Sequence, residues 1–360
     1  MADNPRLRRL RAGLDEAGVD GALVLNLFNV RYYAGFTGSS GALVVGARDA
    51  VFTTDFRYMT QAAQELRPGF QIAQFRKKFE YLAGLLRDWG LKRVAFEDGS
   101  VTVRDYEQLR MHLDGAVELV PHEAVIASAR QVKDAEEFTT MRRAIALAEQ
   151  GLERAMELVR PGTPERDVAQ ELEFEMRRAG ATGPSFSTIV ASGPRGALPH
   201  ARPTDKRIER GDLVTIDFGA LYGGYCSDQT VTVGVGEVPR ELMTIFEIVK
   251  EAHDRAVASV RPGMTNREVD AHARDYIGSK GYGEYFGHGT GHGIGLEVHE
   301  PPFVSPAAPE VTLVPGMVFT VEPGIYVPDR GGVRLEDIVR VTETGVEVLT
   351  NISKAYRAVA

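Results

Sequence analysis

The second half of this chain repeats itself. Residues 154–168, RAMELVRPGTPERDV, lie without a gap over residues 255–269, RAVASVRPGMTNREV, with eight of fifteen positions identical and the VRPG element whole. Farther on, GDLVTID (211–217) lies over GMVFTVE (316–322). Glycine matches glycine, threonine matches threonine, apolar positions match, and an acid ends each run. Chance likeness between two amphipathic helices does not explain why VRPG and the acid-ended strand recur in the same order. The pattern is that of a duplicated helix–VRPG–helix–strand unit. Two such copies folded onto each other form a pseudo-two-fold site where they meet.

The region before the repeat has a different grain. Residues 5–18 read as a helix, and Ala22–Phe28, Gly41–Gly46 and Ala50–Thr54 read as strands. Phe79–Trp89 carries Leu82, Leu85 and Leu86 at helical spacing, and Arg93–Phe96 resumes a strand. Strands alternating with helices predict an α/β layer. The polar stretch ASARQVKDAEE (127–137) separates this region from the repeated half, and places a domain boundary between 1–127 and 128–360. Beyond it Phe138, Met141, Ile145, Leu152, Met156 and Val159 share one helical face. Thr163 is expected to cap the next helix, with Pro164 at its first position.

Composition narrows the chemistry. Of 360 residues 43% are hydrophobic and 26% charged, so a core can form. The net charge of -8 disfavours nucleic acid as a partner, since that binding needs basic surface. No apolar run approaches the roughly 18 residues of a membrane span. The start, MADNPRLRRLRAGLDEAG, has no apolar signal core, so a cytoplasmic location is expected. One cysteine, Cys226, excludes an internal disulfide and a cysteine-rich zinc site. Acids and the eight histidines must carry any metal or acid–base work.

They cluster. LVTIDFGALYGGYCSDQTVTV (213–233) reads as two strands around a Gly223-Gly224 turn. In that register Tyr222 opposes Tyr225 and Asp217 opposes Thr230. Asp228 then shares the face of Asp217, and two acids aimed into an apolar hairpin are costly unless paired or metal-bound. The second copy adds Glu322, at the end of its strand, and Glu336 within VRLEDIVRV. Between the copies, GHGTGHGIGLEVH (287–299) has glycine at every second position from 287 to 295. It fits neither a helix nor a GxGxxG fingerprint. It brings His288, His292 and His299 on a backbone thin enough to pass close to a site. His200, in ALPHARP, holds a comparable place in the first copy. Four carboxylates with imidazole favour a pair of divalent ions such as Mn, Co, Fe or Zn. Such a pair acidifies a bridging water and polarises a carbonyl, which is the chemistry of amide or ester hydrolysis.

The motifs TIDFG, SDQTVT, GHGTGHGIGLEVHE, TVEPGIY and RLED together resemble the pita-bread metallopeptidases, which include prolidase, aminopeptidase P and methionine aminopeptidase. NVRYYAGFTGSSG (29–41) and TDFRY (54–58) resemble the creatinase-type domain of the proline-specific members. The resemblance implies an α/β creatinase-like N-terminal domain and an α+β pita-bread domain with an internal pseudo-two-fold repeat. It implies Asp217, Asp228, His292, Glu322 and Glu336 as ligands of two divalent ions, Mn foremost, with Asp228 and Glu336 bridging. It implies Glu322 as the proton acceptor from the bridging water or hydroxide, His200, His288 and His299 as substrate contacts, and Thr230 and Arg334 as groups that orient the carboxylates. A homodimer acting on short proline-containing peptides is also implied. GFTGSSG and TDFRY lean the reading toward an Xaa-Pro aminopeptidase. The alternatives are a prolidase limited to Xaa-Pro dipeptides, which shares every catalytic residue, and a non-peptidase binding protein of the same fold.

Overall fold

In a computed structural model, which describes residues 4–359, the chain divides into two compact units, the first ending at Arg130 and the second beginning at Gln131. The first unit is built on a six-stranded sheet. Its order is Gln71–Gln74, Ala50–Thr54, Ala42–Gly46, Gly21–Val24, Arg93–Phe96 and Glu118–Pro121. The three strands 21–24, 42–46 and 50–54 pair antiparallel, and the outer pairings are parallel. Leu23, Val44, Leu82, Leu86, Val94 and Leu109 pack as its core.

Two elements differ from the sequence expectation. The strand expected over Ala22–Phe28 stops at Val24, because Asn26 accepts from Phe28 N–H and caps a helix over Leu27–Ala34. Tyr32 and Tyr33 ride that helix into the interior, where their hydroxyls donate to the carbonyls of Ala129 and Ile126. In the second unit, Thr163 does not cap the helix Glu165–Arg178. Pro164 holds the cap position, because Glu165 is drawn inward as a buried anchor.

The second unit carries the duplication through to its hydrogen bonds. Helices Ala135–Ala155 and Glu165–Arg178 form one pair, and Arg240–Ser259 and Asn266–Ser279 form the other. The VRPG glycines, Gly162 and Gly263, both have positive φ, +92° and +86°. Gly162 N–H donates to Ile208 O and Gly263 N–H to Leu313 O. Ile208 N–H and Leu313 N–H return bonds to Thr163 O and Met264 O. Gly211 and Gly316 then open matching strands, each donating across to Val235 O and Val341 O. The same sequence element therefore fixes the same crossing twice.

Each copy supplies one larger sheet, beside a three-stranded and a two-stranded one. In the first, Ile189–Ser192, Leu213–Phe218 and Gln229–Val235 are adjacent, with Ala358–Val359 at the edge. In the second the order is Glu300–Val304, Gly291–Gly293, Val318–Val321, Asp337–Val341 and Val346–Val348. Leu152, Leu172, Ile216 and Val233 belong to one apolar core, and Ile245, Val269, Phe319 and Val339 to the other. Close packing requires the thin backbone at Gly289, Gly291, Gly293 and Gly295, whereas Gly287 stands in open space. A Cβ on Gly291 would stand 1.8 Å from Thr320 O, and one on Gly293 would stand 2.4 Å from Glu300 O. We expect Gly291→Ala to lower stability by about 3 kcal/mol or more, since backbone rather than a yielding side chain must move. Chemical denaturation checks this, and an unchanged midpoint would contradict the packing argument.

Candidate metal centre

The hairpin register read from the sequence is the one observed. Gly223 and Gly224 both have positive φ, Tyr222 faces Tyr225, and Asp217 faces Thr230. Asp217 sits near the end of the strand Leu213–Phe218, and Asp228 just before Gln229–Val235. Both are buried.

The two copies meet at Thr230. Its partner on one side is Asp217, and on the other it forms an isolated antiparallel bridge to Glu336. Glu336 N–H donates to Thr230 O at 3.1 Å, and Thr230 Oγ1 donates to Glu336 Oε2 at 2.7 Å. Glu336 is 1% exposed. His292 lies on the short strand Gly291–Gly293, held by its N–H on Thr320 Oγ1. Its Nε2 is 3.2 Å from Glu322 Oε1 and 3.7 Å from Asp228 Oδ2. Its Nδ1 lies 3.1 Å from Gly293 O, a contact that fixes the ring and turns Nε2 toward the acids. Thr320 Oγ1 also donates to Glu322. Asp228, His292 and Glu336 each offer a ligating atom, all within 4.8 Å of one another.

Arg334 is threaded through this cluster. Nη2 donates to Asp217 Oδ2 at 2.5 Å, Nε to Thr230 Oγ1 at 3.2 Å, and Nη1 to Tyr326 OH at 2.8 Å. Tyr326 OH in turn lies 2.9 Å from His288 Nε2, and His288 Nδ1 lies 2.7 Å from Gly289 O. Both nitrogens of His288 are thus engaged. His299 packs beside His292 with ring centroids 4.2 Å apart. His200, Asp217, Asp228, His288, His292, His299, Glu322 and Arg334 line one cleft of about 920 Å³. Thr230 and Glu336 are buried and do not line it. Sequence reasoning missed Tyr326 and Thr320 as parts of the site, although both stand inside the TVEPGIY motif. Each works through a neighbour rather than by its own charge.

Residues 139–343 match metallopeptidase family M24, and residues 6–132 match the Creatinase/Prolidase N-terminal domain. The chain belongs to metallopeptidase family M24. It is 38% identical to the Xaa-Pro dipeptidase of Pyrococcus furiosus over 351 residues, covering 97% of this chain and 98% of that one. Its fold superposes on an Xaa-Pro dipeptidase from Bacillus anthracis with a TM-score of 0.94 and 44% identity, covering 98% and 99% of the two chains. It also superposes on an X-Pro aminopeptidase from Thermotoga maritima at TM-score 0.88 and 37% identity, covering 98% and 99%. The expected architecture, a creatinase N-terminal domain followed by a pita-bread domain, is the one present.

Burial and mutual charge set the electrostatics of this M24 centre. Burial, then the charges of Glu336, Asp217 and Glu322, push the Asp228 carboxyl well above the usual range. Burial, then Glu322 and Asp217, do the same to Glu336. Glu322 goes the other way, to about 2: burial opposes ionisation, but the hydrogen bond and charge of His292 outweigh it. His292 is correspondingly raised against its burial by Glu322. His288 and His299 are lowered, chiefly by burial. Asp217 Oδ1 and Glu336 Oε1 are buried and have no hydrogen-bond partner in the protein. Unmatched carboxylate oxygens beside an imidazole fit the oxygen-rich donor set of divalent ions, as an M24 chain requires.

These shifts give the pH effect its sign. A carboxyl raised in the fold costs nothing at acid pH, where it is protonated folded and unfolded. The cost grows as pH climbs above the ordinary carboxyl value of about 4. We expect Asp228→Asn to stabilise the metal-free protein by about 1–4 kcal/mol at neutral pH, with the gain shrinking toward pH 4. Metal-supported activity should be lost. Melting curves in chelator across pH check this, and destabilisation at neutral pH would contradict it.

Proposed function

We propose that this M24 peptidase is an Xaa-Pro dipeptidase, with two divalent cations held by Asp217, Asp228, His292, Glu322 and Glu336. One observation carries the metal assignment: four carboxylates and an imidazole from both copies converge at one seam, with Asp217 Oδ1 and Glu336 Oε1 left unmatched. The dipeptidase assignment is supported by likeness to chains bearing that name at 38% and 44% identity over nearly their whole length. It reverses the order favoured from the sequence, where the aminopeptidase reading came first. The segments behind that preference, GFTGSSG and TDFRY, lie in the first unit.

When bound, the ions supply Lewis acidity and an acidified water. The protein does the rest. Asp228 and Glu336 span the seam, and the Thr230 bond fixes Glu336 there. Arg334 holds Asp217 in place. Glu322, whose Oε1 lies 3.2 Å from His292 Nε2, is the carboxylate placed to accept the proton of the attacking water. The leaving proline nitrogen needs a proton to depart as a secondary amine, and Glu322 can deliver it. His299, kept neutral by its setting, can donate a hydrogen bond to the scissile carbonyl oxygen as negative charge develops. His200 lines the same cleft. His288, with both nitrogens engaged, acts by holding Tyr326 against Arg334. Mn is the first metal to test, since oxygen donors dominate, and a homodimer belongs to the same reading.

The experiment compares Xaa-Pro with Xaa-Pro-Xaa peptides, with added Mn, Co or Zn and after chelation. Metal-dependent cleavage of the dipeptides alone is expected, abolished by Glu336→Ala. Equal turnover of tripeptides would instead give an Xaa-Pro aminopeptidase, and turnover that survives chelation would overturn the metal assignment.

A further inference from the structure

A dipeptide differs from a longer peptide by a free carboxylate one residue beyond the scissile bond. Under the dipeptidase reading, on which this inference rests, something in the cleft must meet that anion. The scissile carbonyl sits at the seam, and the carboxylate lies one residue beyond it. The carboxylate must therefore face a cation away from the seam. Two arginines line the cleft, Arg334 and Arg202. Arg334 is buried and already bonded to Asp217, Thr230, Tyr326 and the carbonyl of Pro199. Arg202 is exposed, and its guanidinium has no ion pair or hydrogen bond among the described residues.

Two observations turn that loose charge into a candidate site. The backbone beneath Arg202 is pinned. Its carbonyl accepts from Arg195 Nη2 at 2.6 Å, and Arg195 Nε donates to the buried Glu165 at 2.9 Å. Glu165 also accepts from Ser192 and Thr204, so it clamps both ends of the segment that carries His200 and Arg202. The second observation is Thr188. It is 3% exposed, lines the same cleft, and its hydroxyl has no hydrogen-bond partner in the protein. An unpartnered buried hydroxyl facing a cleft invites a ligand to complete it. Phe186 and Ile189 flank it as apolar lining suited to a pyrrolidine ring, and Ile189 stands opposite Asp217 in the sheet.

We propose that Arg202 and the hydroxyl of Thr188 bind the free α-carboxylate of the substrate's C-terminal residue, making Arg202 a specificity-determining residue. The guanidinium offers its planar fork to the two carboxylate oxygens, and Thr188 donates a further hydrogen bond. The scissile carbonyl at the metal centre and the carboxylate at Arg202 then fix the direction of the dipeptide.

The test measures kcat/KM for Ala-Pro and for Ala-Pro amide, which lacks the charge, in Mn-loaded wild type, Arg202→Met, Arg202→Lys and Thr188→Val. Ala-Pro-Ala is run on the wild type. Wild type should prefer the free acid, and Arg202→Met should shrink the acid-to-amide ratio roughly 10- to 100-fold, through KM. Arg202→Lys should restore part of the ratio, because it keeps the charge and loses the fork. Thr188→Val should raise KM for Ala-Pro without lowering the melting temperature, an outcome that a packing role for the hydroxyl would not give. An acid preference that survives intact in Arg202→Met overturns the inference while leaving the dipeptidase reading standing. Wild type that ignores Ala-Pro, or cleaves Ala-Pro-Ala equally well, overturns the dipeptidase reading itself and the subsite with it.

Discussion

Mutual repulsion among buried carboxylates governs the second unit. Asp217, Asp228, Glu322 and Glu336 converge where the two copies join, and among the described residues one guanidinium, Arg334, is bonded into the cluster. Buried anions this close are unstable without protons or cations to offset them. Burial and mutual charge push Asp228 and Glu336 above the usual carboxyl range, while the charge of His292 holds Glu322 below it. Every nearby support serves the same end: Thr230 tethers Glu336, Thr320 steadies both His292 and Glu322, and Tyr326 completes Arg334.

Duplication is what makes such a cluster buildable. One unit can present only the acids its own strands carry, whereas two copies facing each other bring two sets together. The shared design extends to the walls of the cleft. Glu165 and Asn266 hold equivalent positions in the repeat, and each anchors the segment that forms its own wall. Glu165 binds Ser192, Arg195 and Thr204. Asn266 donates to the carbonyls of Phe303 and Pro309 and accepts from Val311 N–H. Each wall of the cleft is thus anchored by one buried polar side chain from the same position of the repeat.

Much of this is legible in the sequence where the rule is local. Gly223-Gly224 sets a two-residue turn, and from that turn alone the pairing of Asp217 with Thr230 follows. The repeat is legible because its glycines at 162 and 263 need positive φ, which few residues tolerate. The hidden parts depend on distant partners. The bridge from Thr230 to Glu336 joins residues 106 apart in sequence, and nothing in either strand announces it. Tyr326 looks like an ordinary aromatic of an apolar strand until Arg334 and His288 are placed around it. The start of the helix Leu27–Ala34 reads as the end of a strand because its apolar run gives no period, and the cap at Asn26 is a single polar residue within that run. Substrate length is hidden for a further reason. The catalytic motifs are the same in both readings, and the proposed carboxylate site at Arg202 and Thr188 carries no motif.

The central claim is that the seam is built for cations in place of protons. Its most direct measurement is calorimetric titration of Mn into chelator-stripped protein at neutral pH, in buffers of different ionisation enthalpy, with metal content then read by mass spectrometry. Two ions bound per chain, with net release of protons from the raised carboxyls Asp228 and Glu336, is the expected result. Binding of one ion or none, or of two without proton release, would contradict it.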